Sequence, residues 1–289
     1  MYLKRNFVTK ASAIYGVGDA LNLRAFLITY CQQKRIRRNS ISIYSPNHWW
    51  MFERDGFLHS KSVIGFRNLV PYKNFGCLNL PKRITTLKLD MCIAKNAGID
   101  YSFDIIAPLP TYQAPDIQLP PEFITFNTGY GNLSGTPGDP TRVCIKSWPI
   151  EYWEKLISLL KIPCVQIGAG PSCLPVKGAT LNLVDKLTLK QSAEVMRRAL
   201  FHIDIEGGLP ILNQHLGKRS VVLFGPTAIE QQGRSNNLNL AAKTCSPCYE
   251  WIDQRYDLCV PIDQLHCHKH CMTDLTPEYV AKRITEEML

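Results

Sequence analysis

The sequence predicts an α/β protein of two domains, each built on a parallel sheet. Three observations carry that reading. Short apolar runs alternate with amphipathic segments of helical length, the alternation restarts after a proline-rich stretch, and glycine-bearing turns follow the predicted strands. At 289 residues the chain also exceeds the roughly 100 to 200 residues of one ordinary core.

In the first block, residues 7–15 read as a strand, 20–33 as a helix and 40–44 (SISIY) as a buried strand. The basic run KRIRR, residues 34–38, reads either as a solvated helix end or as part of an anion-attracting surface. The segment APLPTYQAPDIQLPPE, residues 107–122, punctuates the chain and sets the domains at 1–121 and 122–289. The second block opens with FITFNTG, residues 123–129, as a strand. A polar Gly/Pro loop then runs to Thr141, and a helix begins near Trp148, with Pro149 suited to its first turn. Residues 164–168 (CVQIG) read as a strand entering a glycine loop. Beyond it, 187–199 reads as a helix, His202–Ile205 as a strand, 209–216 as a helix, Ser220–Phe224 as a strand and Pro277–Glu287 as a helix.

Hydrophobic residues at 45% and charged ones at 20% describe a soluble globular chain and exclude a disordered or fibrous one. No apolar run approaches the ~20 residues that cross a bilayer. The opening MYLKRNFVTKASAIYG lacks the apolar core of a secretory signal, so the expected location is cytoplasmic. Lys and Arg outnumber Asp and Glu by 33 to 24, which suits an anionic partner: nucleic acid, phosphorylated substrate or acidic membrane. A solvated basic surface with no partner gives the same balance.

The glycine turns lie where parallel sheets bind ligands, at the C-terminal ends of strands. In GVGDALN, residues 16–22, the amides can face a phosphate or sugar oxygen, with Asp19 at the helix start. An Asp there serves as a base or as an N-cap, the latter contributing about 1 kcal/mol without any activity. In EGGLPILNQHLGKRSVVLFGPT, residues 206–227, an acidic residue and two glycines end one strand and Gly225-Pro226-Thr227 ends the next.

Five of eleven cysteines fall in TCSPCYEWIDQRYDLCVPIDQLHCHKHCM, residues 244–272. Cys31, Cys77, Cys92, Cys144, Cys164 and Cys173 are scattered singly, as buried thiols are in a reducing compartment. Five cysteines cannot all pair, and a cytoplasmic protein disfavours disulfides. A thiolate metal site remains, with Cys245-x2-Cys248 as its first knuckle. The second pair stays open: Cys267 and Cys271 offer a compact partner, and His266, His268 and His270 are substitutes.

The order GVGDALN, IKSWPIEYWEKL and EGGLPILNQHLGKRSVVLFGPT resembles glycosyltransferase family 9, the ADP-heptose transferases of lipopolysaccharide inner-core synthesis and their relatives. There an early Gly-x-Gly-Asp turn, Lys-x-Trp-Pro, and Asp-Ser/Thr-Gly-x-x-His followed by an apolar strand and Gly-Pro-Thr recur in this order. The likeness is thin over residues 53–121 and good from Phe123 onward. It implies a GT-B fold, two Rossmann-like domains facing across a cleft, and inverting, metal-independent transfer from a nucleotide-diphosphate sugar, ADP-heptose above all. Asp19 then resembles the family's base and Lys146 its phosphate-binding lysine. Gly16, Gly18, Thr141, Glu206, Gly207 and Gly208 join Lys146 in holding the donor. Two positions depart from the pattern: Glu206 stands where the family has Asp, and Ile211 where it has His.

The span from Cys259 to Cys271, followed by LTPEYV, is similar to the cysteine finger of autotransporter heptosyltransferases, which hold iron through four cysteines. That likeness selects Cys245, Cys248, Cys259 and Cys271, leaves Cys267 spare, and implies one structural zinc or iron in a C-terminal Cys-rich metal finger. The expected acceptor is a glycan, a lipid-linked precursor or a protein. It is met at the inner face of the cytoplasmic membrane, where the basic surplus attracts anionic lipid. Two other classes fit parts of the chain: a basic zinc-finger protein that binds nucleic acid, and a catalytically silent GT-B scaffold. The aromatics of the finger form no stacking series, so no nucleic-acid partner is expected.

Overall fold

The computed structural model describes residues 10–12, 16–61, 97–130, 142–144, 146–242, 259–261 and 270–289. The chain divides into two compact units, Met1–Pro110 and Thr111–Leu289, with the boundary inside the proline-rich segment.

In the first unit β1 (Lys10–Ser12), β2 (Ser42–Tyr44) and β3 (Leu58–His59) form a parallel sheet in that order. Parallel neighbours need a crossover, and α1 (Val17–Lys34) supplies it between β1 and β2. The helix starts three residues before the predicted 20, because Gly16 is its N-cap. Asp19 is therefore not a capping residue: it stands in the first turn, where an acid complements the helix dipole. Arg35 closes the helix in the left-handed region (φ 55°), its N–H reaching the carbonyls of Cys31 and Gln32. A 3₁₀ turn over Arg38–Ser40 delays the following strand to Ser42.

Leu21, Leu23, Phe26, Leu27 and Tyr30 of α1 are buried, and so is Arg24 among them. Its guanidinium grips Asp55 with two bonds, Nε to Oδ2 at 2.6 Å and Nη2 to Oδ1 at 2.8 Å. The remaining reach goes to the carbonyls of Ala107 (2.6 Å) and Pro108 (3.0 Å).

The second unit holds a six-stranded sheet, all parallel, in the order β10-β9-β8-β4-β6-β7. Its strands are β4 (Ile124–Phe126), β6 (Cys164–Gln166), β7 (Leu181–Asn182), β8 (His202–Ile205), β9 (Ser220–Phe224) and β10 (Leu238–Ala241). From β4 the chain winds outward through β6 and β7, then returns to β4's other side and winds outward again through β8, β9 and β10. This is the doubly wound Rossmann order, with its switch point between β4 and β8.

Helices α2 (Ile150–Leu159), α3 (Leu189–Arg198), α4 (Gly208–His215), α5 (Ile229–Gln232), α6 (His270–Thr273) and α7 (Pro277–Glu287) complete the unit's described elements. Thr188 forms a capping box with Gln191 at α3, and Thr276 caps α7 ahead of Pro277. Ile124, Phe126, Trp153, Leu156, Ile203, Val221, Leu223, Val280 and Ile284 belong to one apolar core. Trp148 is locked into it by a shared indole N–H, given to the carbonyls of Met272 (3.1 Å) and Leu275 (3.0 Å).

A small antiparallel pair stands apart from the main sheet: β5 (Arg142–Cys144) with β11 (Cys259–Pro261), Cys259 opposite Cys144. Among the described residues no helix is long and apolar enough to cross a membrane.

Candidate functional site

In a doubly wound sheet the carboxyl ends of the strands beside the switch point face the ligand crevice. Glu206 directly follows β8, Thr227 closes the turn after β9, and Lys146 lies two residues beyond β5. These three side chains meet. The Lys146 ammonium pairs with Glu206 Oε2, and the Thr227 hydroxyl donates to the same oxygen at 3.0 Å. The pair is mostly buried, with side-chain exposures of 14% and 16%. Arg234, itself buried, donates from Nε to Gln214 Oε1 at 3.0 Å and adds positive potential near the carboxylate. Burial pushes the Glu206 carboxyl up, but Lys146, Thr227 and Arg234 together hold it below the usual carboxylate value.

The start of α4 adjoins this cluster. Gly207 is its N-cap with no side-chain cap, and Gly208 and Leu209 are the residues of the first turn that carry an N–H ahead of Pro210. A Cβ at Gly207 would meet nothing within 4 Å but the Ile205 carbonyl, at 3.8 Å. Two cations, a hydroxyl and a positive helix end fit a phosphate or diphosphate.

Within the sheet lies a polar seam that the sequence reading missed. Thr125 Oγ1 and His202 Nδ1 are 3.0 Å apart, His202 Nε2 lies 3.3 Å from Asp204 Oδ2, and Asn127 donates to both Asp204 oxygens at 3.1 and 3.2 Å. Burial lifts the Asp204 carboxyl above its ordinary value, against the pull of His202, Asn127 and the Ile205 N–H. At Gly168 (φ +136°) a Cβ would fall 2.4 Å from Asn127 Oδ1 and 2.5 Å from Cys173 Sγ, so glycine alone lets this loop close over the seam. The signal was present as polar residues two apart, Thr125 with Asn127 and His202 with Asp204, one face of each strand.

Of the predicted site residues, Lys146, Glu206, Gly207 and Gly208 come together in the second unit. Gly208 is the first residue of α4, one position ahead of the predicted helix start at 209. Gly16, Gly18 and Asp19 form a separate group at the start of α1. Asp19 is exposed there, its Oδ2 4.0 Å from the place of a Gly16 Cβ. Thr141 lies outside the described residues. Thr227 and Arg234 are additions that no motif assigned.

For the metal finger, Cys245 and Cys248 lie outside the described residues, and Cys259 is placed only as backbone in β11. Cys271 is buried in α6, its Sγ 3.6 Å from the place of a Gly225 Cβ, under the turn that carries Thr227. Among the described residues no three metal-ligating side chains gather.

No protein-family model matches the sequence, and no curated protein does. Solved structures do. The dodecameric iron-containing heptosyltransferase TibC of enterotoxigenic E. coli H10407, solved in complex with ADP-D-β-D-heptose, superposes with a TM-score of 0.70. Its identity is 15%, over 99% of this chain and 77% of that one. A glycosyl transferase family 9 protein of Veillonella parvula gives 0.58 at 12% identity, over 96% of each chain. The E. coli ADP-heptose lipopolysaccharide heptosyltransferase II gives 0.56 at 12%, over 97% and 98%. The chain thus has the α/β fold of the family 9 glycosyltransferases.

Proposed function

We propose that the chain is an inverting glycosyltransferase. It moves a sugar, heptose first among the candidates, from a nucleotide-diphosphate sugar, ADP-heptose first, to a glycan, lipopolysaccharide-core or protein acceptor. One observation carries the reading: Lys146, Thr227 and the uncapped start of α4 converge at the carboxyl ends of strands in a doubly wound sheet. The likeness to structures described as heptosyltransferases supports it.

In the reaction, the acceptor oxygen attacks the anomeric carbon from the face opposite the diphosphate. The anomeric carbon–oxygen bond breaks, its electron pair leaves on the diphosphate, and the configuration inverts. Asp19 takes the acceptor's hydroxyl proton, and Lys146 stabilises the charge that develops on the leaving group. Cys245, Cys248, Cys259 and Cys271 are proposed to hold one structural zinc or iron, which ties a loop of low apolar content to the second unit. The place of action is proposed to be the cytoplasm, at the inner face of the membrane, where the basic surplus meets anionic lipid or phosphorylated acceptor.

A thermal-shift panel of ADP-, UDP-, GDP- and dTDP-sugars tests the donor. A ligand of the native state adds about 2.7 kcal/mol at a hundredfold excess over its Kd, which such a panel detects. No stabilisation by any nucleotide sugar, with tight binding to RNA, would overturn the reading. Asp19→Ala should lower turnover by roughly 10²-fold or more and leave donor affinity nearly intact. An equally small effect on both would return Asp19 to its role at the helix dipole.

A further inference from the structure

The Lys146–Glu206 pair is built unlike a structural ion pair. Both of its contacts fall on one carboxylate oxygen: Lys146 Nζ and Thr227 Oγ1 meet Oε2, and among the described residues no hydrogen bond reaches Oε1. Glu206 opens the short turn into α4, and the two residues after it are glycines, so no neighbouring side chain braces it from that direction. Its surroundings are those of a phosphate: an ammonium, a hydroxyl, the guanidinium of Arg234 nearby and a helix start without a side-chain cap. A carboxylate in that position does what a ligand oxygen would do.

We propose that Glu206 is an internal counter-anion, which an entering diphosphate displaces from Lys146 and Thr227, whereas a single phosphate, which does not also reach the start of α4, is held too weakly to offset the exchange. The inference deepens the donor reading above and rests on it. With Glu206 in place, the Lys146 charge is already paired. A ligand with a single phosphate gains little by replacing one anion with another. A diphosphate engages Lys146 with one phosphate and the start of α4 with the other, so it offsets the lost ion pair and adds a second set of contacts. The Glu206 side chain is then free to turn by its own side-chain torsions toward the hydroxyls of whatever the diphosphate carries.

The exchange distinguishes this role from simple hydroxyl recognition. Were Glu206 only a sugar contact, its removal would weaken the nucleotide sugar and leave inorganic anions untouched. As a counter-anion, its removal strengthens binding of inorganic anions, phosphate and pyrophosphate alike.

The experiment is calorimetric titration of inorganic pyrophosphate and inorganic phosphate into the full chain, wild type and Glu206→Gln, at fixed ionic strength. Wild type should prefer pyrophosphate. In Glu206→Gln the affinity for both anions should rise, by about tenfold, because the ion pair no longer has to be broken. The ligand-free variant should also melt lower than wild type, and pyrophosphate should raise its melting temperature by more. The double variant Lys146→Met/Glu206→Gln removes both charges and should bind neither anion. Weaker or unchanged binding of the two anions in Glu206→Gln overturns the proposal. So does wild-type chain that binds neither anion. The nucleotide-sugar panel reads the donor separately: anion exchange without any sugar-nucleotide binding would sink the transferase reading alone, and the converse would sink only this one.

Discussion

Each unit contains an ion pair largely shielded from solvent, and the two are built differently. In the first unit Arg24 and Asp55 are 5% and 8% exposed, both carboxylate oxygens are engaged, and the guanidinium also holds two carbonyls just before the unit boundary. In the second, Lys146 and Glu206 meet through one oxygen beside an open helix start. The forked, fully used pair is a bolt, since an arginine matched to a carboxylate at two points resists substitution. The second pair uses one oxygen of Glu206, and among the described residues no hydrogen bond reaches the other. Burial alone therefore does not mark a functional ion pair.

The comparison can be broken at four places. Arg24→Ala should have the largest effect, about 3–5 kcal/mol of lost stability, because it strands Asp55 and two carbonyls. Donor affinity measured on the folded fraction should not change; a large loss there would make the bolt part of the site. Lys146→Met should show the reverse: donor affinity lowered by about 10- to 100-fold and turnover with it, with a smaller change in melting temperature. Equal stability losses for the two variants would erase the distinction.

Third comes the finger. Purified protein should carry about one equivalent of zinc or iron, which Cys259→Ser loses and Cys267→Ser keeps. Because β11 pairs with the strand that leads to Lys146, loss of the metal should weaken donor binding several-fold and leave the Arg24 region unaffected. Metal retained in Cys259→Ser and lost in Cys267→Ser would reassign the third ligand.

The smallest effect belongs to Asp204. Burial raises its folded-state pKa, so the stability it contributes is full below the usual aspartate value of 3.8 and is lost as pH rises through the raised value. Asp204→Asn should change stability by about 1 kcal/mol or less, and its melting temperature relative to wild type should climb with pH across that window. A pH-independent difference would mean that burial does not raise this carboxyl in the folded state.

The central strands of the second unit were legible because both their faces are covered. Ser220–Phe224 and His202–Ile205 are buried throughout and read as short runs between turn signals. α7 was legible to the residue because Thr276 and Pro277 announce it. The start of α1 was not, since a glycine N-cap leaves no side-chain signature. β7 and β10 are short edge strands, and LNLA at β10 alternates too briefly to stand out.

At the site, Lys146 and Glu206 could be read because their motifs are local. Thr227 sat inside a turn already singled out, but nothing in Gly-Pro-Thr says that its hydroxyl reaches back 21 residues to Glu206. Arg234 belongs to no motif, and only folding brings it beside Gln214. Tertiary contacts between loops of different strands leave no periodicity to detect.

The indole of Trp148 has a consequence for how the protein is made. Synthesis runs from the N-terminus, and domains generally fold as units in that order. The first unit can bolt Arg24 to Asp55, Ala107 and Pro108 once residue 110 has emerged. Trp148, two residues past Lys146, finds its acceptors only when Met272 and Leu275 have left the ribosome. Until then the lysine segment has no fixed seat. A nascent chain stalled anywhere between those points would carry the residues of the first unit complete and a second unit in which Trp148 still lacks its two acceptors.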